Sequence, residues 1–172
     1  MVFKKLAVAF LILASCGGAE QVRKRRFLDI KGYVSQEVKR LEKQKATIDK
    51  TVSKNGVPES RKNLSPDWNI ELALFSESDI NKPAWIDSYS VNFDGSNVSY
   101  NALDNKLRTR SIVIKKNKSG KLTELMVVNR TSNYLYSSSE ELLYIPDSIY
   151  RIIKKQDVIL LGKNNYKIFG VF

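Results

Sequence analysis

The chain has 172 residues, a formal net charge of +11, a single cysteine and no histidine. The lack of histidine excludes Ser-His-Asp and Cys-His catalytic sites, and it also excludes metal centres that histidine ligates. With one cysteine no disulfide can form within the chain, so packing alone must stabilise the fold.

The first residues have the organisation of a secretory signal. Lys4 and Lys5 precede an apolar run over residues 6–13, and small residues follow it as far as Ser15. A basic start, a short apolar run and a small-residue exit are typical of a cleaved signal. The apolar run is shorter than the roughly 20 residues that span a bilayer. We therefore predict that residues 1–15 are a signal peptide.

The end of this signal contains the only cysteine. Leu13, Ala14, Ser15 and Cys16 resemble the lipobox of bacterial lipoproteins. The resemblance implies cleavage between Ser15 and Cys16, lipidation of the Cys16 thiol and acylation of the new amino group. Each buried CH₂ contributes about 0.8 kcal/mol, so several acyl chains would make a permanent anchor. A free reactive thiol is the alternative interpretation.

Residues 16–26 are predicted to form a lipidated tether that ends in a basic block. The block consists of Arg23, Lys24, Arg25 and Arg26. Behind a lipid anchor it favours contact with anionic lipid headgroups at the membrane surface. A solvated entrance to the first helix is the alternative. A tether that extends to roughly 38 Å keeps the domain close to its membrane.

Apolar residues then recur at a spacing of three and four, with charged residues between them. They are Phe27, Ile30, Val34, Val38 and Leu41. This periodicity predicts an amphipathic helix. We expect the helix to pack on a sheet, because its apolar stripe is narrow and acidic residues share its polar face. Binding of the stripe to a membrane surface is the alternative.

From Thr47 the apolar period changes to two, which predicts strands. β-branched residues up to Val52 lead into Asn55-Gly56, a strong signal for a two-residue hairpin turn. Pro58 lacks a backbone N–H, so it confines the returning strand to a sheet edge or a short piece.

A second helix is predicted to follow this hairpin. Ser65 is the expected N-cap, and Pro66 occupies the first helical position. The apolar face would consist of Trp68, Leu72 and Phe75.

The remainder alternates between apolar and polar residues and predicts an antiparallel meander of six or more strands. The predicted strand segments are residues 89–93, 98–102, 108–116, 121–128, 134–145, 149–154, 158–161 and 166–171. Helices interrupt strands only near the start, so the expected fold class is α+β. Residues 27–172 are predicted to form a single domain.

Carboxylate chemistry stays open to a chain without histidine. Glu140 and Glu141 follow three serines and form the most suggestive cluster. Adjacent strand residues point to opposite faces, so we interpret the pair as a solvated strand end rather than an acid–base pair. The segments NKSGK, LGKNN and NFDGSN lack the spacing of phosphate and calcium loops. We predict no enzyme activity, no cofactor and no metal.

The basic charge and eight tyrosines raise the question of nucleic-acid binding. The lysines are spread along the chain, without a basic and aromatic stripe on one element. We predict no nucleic-acid partner. The positive charge favours acidic partners such as phospholipid headgroups or anionic glycans.

Three stretches of the chain resemble small uncharacterised lipoproteins of the Bacteroidota. They are DIKGYVSQEVKRLEKQ, LFSESDINKPAW and SSSEELLYIPDSIY. The resemblance implies attachment to the outer membrane, with which Gly17 after the cysteine is compatible. Surface-exported lipoproteins of that group often carry acidic residues directly after the cysteine. Here only Glu20 precedes the basic block, which favours the periplasmic face.

The leading hypothesis is a non-enzymatic, membrane-anchored envelope lipoprotein that binds an envelope protein or anionic lipid headgroups. One alternative is a periplasmic lipid or lipoprotein carrier, with an apolar cavity between sheet and helix. A further alternative is a carboxylate enzyme acting on glycans, which needs two facing acidic side chains about 5 to 9.5 Å apart.

Overall fold

A nine-stranded antiparallel sheet with helices on one face makes up residues 27–172, the part of the chain that this computed structural model describes. The helices are α1 (Ile30–Lys43), α2 (Trp68–Glu71) and α3 (Ala73–Ser76), with a 3-10 turn at Pro83–Trp85. The strands are β1 (Ile48–Lys54), β2 (Val57–Leu64), β3 (Tyr89–Asp94), β4 (Asn97–Ala102), β5 (Thr109–Lys116), β6 (Leu122–Ser132), β7 (Tyr136–Ile145), β8 (Ile149–Val158) and β9 (Gly162–Val171).

The strands lie in the order β2-β1-β9-β8-β7-β6-β5-β4-β3. Strands β3 to β9 form an uninterrupted meander, and the β1–β2 hairpin joins it through the pairing of β1 with β9. The described chain is therefore mostly β with few helices, which is consistent with the predicted α+β class. Strand β2, which contains Pro58, lies at one edge of the sheet, as predicted.

Helix α1 covers the sheet with its apolar stripe. Asp29 caps the helix, since its Oδ1 atom accepts a hydrogen bond from the backbone N–H of Gly32 at 2.8 Å. Val34, Val38 and Leu41 are buried, as the periodicity predicts. Full burial of such side chains contributes roughly 1.5 to 3 kcal/mol each, so this stripe fixes the helix on the sheet.

The second predicted helix differs from expectation. Asp67, not Ser65, is the N-cap, because the Asp67 carboxylate accepts from the first free N–H groups of α2. Pro66 consequently precedes the cap. The helix also breaks at Leu72 into two single turns. The predicted apolar face is nevertheless buried; it consists of Trp68, Leu72 and Phe75.

The last hairpin also differs from expectation. The sequence predicts a strand over residues 158–161 and a turn at residues 162–165. Instead β8 ends at Val158, which pairs with Gly162, and residues 159–161 form the turn. Gly162 has a φ of 73°, a backbone conformation that glycine adopts without strain. The apolar residues of this segment therefore lie in a turn, outside the sheet.

The core lies between the helices and the sheet. Tyr144 and Tyr150 are buried on the helix-facing side of the sheet, and their hydroxyl groups donate to Glu37 of α1 and Glu71 of α2. The Tyr150 ring occupies the space over Gly170, where a Cβ atom would collide with it. The core is thus closed by aromatic rings whose polar ends reach the helix layer.

The meander places its connections alternately at two ends of the sheet. One end carries the connections at residues 55–56, 103–108, 133–135 and 159–161. The other end carries the connections at residues 95–96, 117–121 and 146–148. Large exposed apolar side chains concentrate in the connections of the first end, which we call the apolar end; they are Leu103, Tyr134, Leu135, Ile159, Leu160 and Leu161.

Candidate functional site

A buried carboxylate lies near the apolar end, on the helix-facing side of the sheet. Glu140 is 5% exposed. Its Oε2 atom lies 2.7 Å from Nη2 of Arg108, and its Oε1 atom lies 3.0 Å from Nζ of Lys154. The Nδ2 atom of Asn129 donates to the same carboxylate at 3.2 Å. Two cations therefore neutralise this buried charge, and the amide of Asn129 donates a further hydrogen bond to it.

These partners determine the protonation state of Glu140. Burial acts to raise the pKa of its carboxyl group. The hydrogen bond from Lys154 and the charges of Arg108 and Lys154 outweigh burial, so the pKa lies below its ordinary value. The carboxylate stays ionised near neutral pH, which suits an ion pair and does not suit a general acid.

The Glu140 cluster joins the sheet to the segment after α3. Asn129 donates to Oγ of Ser78 at 2.9 Å, and Ser78 donates to the carbonyl oxygen of Leu74 at 2.7 Å. Arg108 also approaches Glu77, with 3.8 Å between Nη2 and Oε2. Ser78 and Asn129 are almost completely buried. The cluster thus fastens the helix layer to strands β6 and β7.

The positions of Glu140 and Glu141 can now be compared with the predicted solvated strand end. Glu140 and Glu141 do point to opposite faces, as predicted, since one is buried and the other exposed. The prediction of a solvated strand end is wrong for Glu140. Its carboxylate is paired with Arg108, the last residue of the connection before β5, and with Lys154 of β8.

The face opposite the described helices carries a basic cleft near the apolar end. The cleft has a volume of about 420 Å³. Its lining includes the basic side chains Arg110, Arg130, Lys155 and Lys163. Several hydroxyl groups, among them those of Ser132, Ser137 and Ser139, accompany these cations. We call this feature the basic cleft.

Strand register assembles the basic cleft from distant parts of the sequence. Arg130 of β6 pairs with Ser139 of β7, which pairs with Lys155 of β8, which pairs with Asn165 of β9. Side chains in register on neighbouring strands lie on the same face about 5 Å apart. Arg110 joins this row because the β5–β6 pairing shifts between Thr109 and Ser111.

The basic cleft has the chemistry of a site for an anionic group. Arginine and lysine donate charge-assisted hydrogen bonds to phosphate and carboxylate oxygens, and serine hydroxyl groups add neutral donors. Nη1 of Arg110 donates to the carbonyl oxygen of Asp104 at 3.0 Å, which holds this guanidinium in place. Asp157 is the acidic residue of the lining, and its carboxylate lies 3.9 Å from Nζ of Lys163.

The site residues predicted from the sequence lie outside the described residues. They are the cleavage and lipidation site at Ser15 and Cys16, and the basic block of Arg23, Lys24, Arg25 and Arg26. No motif in the sequence marks the basic cleft. Alternation puts Arg130, Lys155 and Lys163 on one face of their strands, but only the strand register brings them together.

Residues 27–172 contain no helix with the length and apolarity needed to cross a bilayer. In the same part of the chain no three acidic side chains are grouped as a metal site would require. Comparison of the chain with protein-family models, curated proteins and solved structures finds no match.

Proposed function

We propose that this protein is a non-enzymatic binding module of the bacterial cell envelope, anchored to the outer membrane through lipid on Cys16 and facing the periplasm. Its binding site is the basic cleft, and its ligand carries an anionic group. The observation that carries this proposal is the row of Arg130, Ser139 and Lys155 on the open face of the sheet. The resemblance of Leu13, Ala14, Ser15 and Cys16 to a lipobox supports the proposed lipid anchor.

The state of Glu140 supports a non-enzymatic role. A carboxylate enzyme needs a group that exchanges a proton or attacks a substrate. Glu140 is buried and paired with Arg108 and Lys154, so both of its oxygens are engaged. We therefore assign Glu140 to the stability of the domain.

The carrier hypothesis receives no comparable support. It requires an apolar cavity between sheet and helix. Phe27, Val34 and Trp68 are each no more than 6% exposed and belong to the same packed cluster. Among the described residues we find no observation that favours a bound acyl chain, so the anionic ligand is the proposal that we retain.

Metabolic labelling tests the anchor. Cells that express the full-length protein are supplied with an alkyne-tagged palmitate, and the purified protein is examined for the tag. We expect label in the parent protein and none in Cys16→Ala, because the thioether and the new amino terminus both depend on this residue. Equal label in both proteins, or none in either, would contradict the anchor.

Calorimetry tests the basic cleft. Dihexanoyl phosphatidylglycerol and inorganic phosphate serve as soluble anionic probes. Arg130→Ala/Lys155→Ala should weaken binding about a hundredfold, since each of the two lost hydrogen bonds to a charged group contributes roughly 1.5 kcal/mol. Lys118→Ala/Lys121→Ala removes two exposed charges at the opposite end of the sheet and is the matched control.

The comparison of the two double variants decides the outcome. Equal weakening in both would indicate attraction by net charge without a defined site. No binding of either probe to the parent protein would contradict the ligand class. If inorganic phosphate binds as tightly as the lipid probe, the protein recognises only the anionic group and not the rest of the lipid.

A further inference from the structure

Five exposed apolar side chains, among them the two most exposed large apolar side chains of the described residues, lie together in two turns of the apolar end. We call them the apolar tip; they are Tyr134, Leu135, Ile159, Leu160 and Leu161. Leu160 is 92% exposed and Tyr134 is 89% exposed. Neither turn packs these side chains against the core. Exposed apolar patches of this kind mark sites of contact with a protein or a membrane.

Hydrogen bonds hold the apolar tip in one arrangement. Oδ1 of Asn133 accepts from the backbone N–H groups of Leu135 and Tyr136, at 2.9 Å each. The N–H group of Ile159 donates to the carbonyl oxygen of Leu135 at 3.1 Å, which joins the two turns. The apolar side chains are therefore presented together on an ordered backbone.

Basic side chains lie directly behind the apolar tip. Lys163 is two residues beyond Leu161, at the start of β9. Arg130 and Lys155 lie two to three residues inside the strand ends, about 7 to 10 Å from the tip at the rise of a strand. An apolar projection with cations one layer behind it matches the acyl region and the anionic headgroups of a bilayer.

The path of the chain adds an independent observation. The ring of Phe27 lies 5.8 Å from the ring of Tyr89, the first residue of β3. Strand β3 begins at the apolar end of the sheet. The predicted tether, residues 16–26, therefore joins the domain toward the same end of the sheet as the apolar tip, but at the edge strand β3, three to six strands away from the strands that form the tip.

We propose that the apolar tip inserts into the interfacial layer of a lipid bilayer that contains anionic headgroups, with Arg130, Lys155 and Lys163 at the headgroup level. A bilayer is the occupant that fits a convex projection, because a small ligand requires a concave site. Tyr134 has the amphipathic ring that membrane–water interfaces favour. This proposal rests on the proposed function, because these cations also line the basic cleft. The contact orients the domain, and it does not require the lipid on Cys16.

Spin labelling of the membrane-reconstituted protein tests this proposal. A single cysteine is introduced by Leu160→Cys, and a matched one by Ser119→Cys in an exposed turn at the opposite end. Both full-length proteins are labelled and incorporated into vesicles of phosphatidylcholine with one-third phosphatidylglycerol. Collision rates with oxygen and with a water-soluble nickel complex report the depth of each label.

We expect the label at residue 160 to collide at least threefold more with oxygen, relative to the nickel complex, than the label at residue 119. In vesicles of phosphatidylcholine alone this difference between the two labels should decrease, because Arg130, Lys155 and Lys163 then lack anionic headgroups to bind. Arg130→Ala/Lys155→Ala in the Leu160→Cys background should decrease it in the same way, without unfolding the protein.

Equal accessibility to water at residues 160 and 119 would overturn the proposal and would leave a protein partner as the ligand of the apolar tip. Insertion that is independent of phosphatidylglycerol would overturn the role of the cations. The parent protein, with Cys16 alone, is labelled in parallel. A label on Cys16 would contradict the lipid anchor. The difference in collision ratio between the labels at residues 160 and 119 would still decide whether the apolar tip inserts into the bilayer.

Discussion

The turns at residues 117–121 and 133–136 are built in the same way at opposite ends of the sheet. In each, an asparagine side chain begins the turn and accepts hydrogen bonds from backbone N–H groups further along. Asn117 accepts from Ser119 and Lys121, and Asn133 accepts from Leu135 and Tyr136. The first turn then displays lysine, serine and glycine, whereas the second displays Tyr134 and Leu135.

The comparison shows that the turn geometry does not require apolar side chains. The hydrogen bonds of the asparagine order either turn, and the exposed residues contribute no burial to the fold. An exposed leucine costs solubility in an isolated domain. The apolar residues at one end are thus best explained by the membrane contact that we propose there.

The largest expected effect concerns the helix-facing side of the apolar end. Glu140→Gln should lower the free energy of unfolding by about 2 kcal/mol, because it leaves Arg108 and Lys154 without their buried counter-charge. The partly exposed partners reduce this loss below that of a fully buried pair. Urea unfolding measures it, with Glu141→Gln as the exposed control, expected within about 0.5 kcal/mol of the parent.

The contribution of Glu140 to the free energy of unfolding should depend on pH. The folded-state pKa of Glu140 lies below its ordinary value of 4.5. Its contribution is therefore fully present above pH 4.5 and is lost as the pH falls through the lower, folded-state value. The stability difference between the parent and Glu140→Gln should decrease in that acidic range. A constant difference at all pH values would contradict the ion-pair assignment.

An intermediate effect is expected from the two turn asparagines. Asn133→Ala and Asn117→Ala each remove hydrogen bonds to backbone N–H groups and should each lower the free energy of unfolding by about 1 kcal/mol. Only Asn133→Ala should also decrease the insertion of a label at residue 160. If Asn117→Ala decreases insertion equally, the two ends do not differ in the way that we propose.

The smallest effect on stability is expected at the apolar tip itself. Leu160→Ala and Leu161→Ala should each change the free energy of unfolding by less than about 0.5 kcal/mol, since the side chains are 92% and 79% exposed. Phe93→Ala, at the opposite end, is the exposed apolar control. A loss above about 1 kcal/mol at Leu160 would mean that the tip supports the fold.

Features with a local period were predictable from the sequence. The burial of Val34, Val38 and Leu41 follows from their helical spacing, and the hairpin at Asn55-Gly56 follows from the turn preference of that pair. Such signals depend on neighbours in sequence, which is why they hold without knowledge of the fold.

The candidate site depends on contacts between distant residues and was not predictable. The partners of Glu140 are 32 and 14 residues away in sequence, at Arg108 and Lys154. The basic cleft requires the register of five strands, β5 to β9. The apolar run at residues 158–161 predicts a strand because apolar residues usually mark one, and only the pairing of Val158 with Gly162 assigns residues 159–161 to a turn.

The pairing of β1 with β9 has a consequence for the order in which the domain is completed. Strand β1 is the first strand of the sheet in chain order, whereas its partner β9 is the last. Until β9 is in place, one edge of the β1–β2 hairpin has unpaired N–H and C=O groups, and such edges attract foreign strands. Because this contact closes the longest loop in the sheet, we expect it to form late in folding. Strand β9 thus decides whether the β1–β2 hairpin belongs to the sheet.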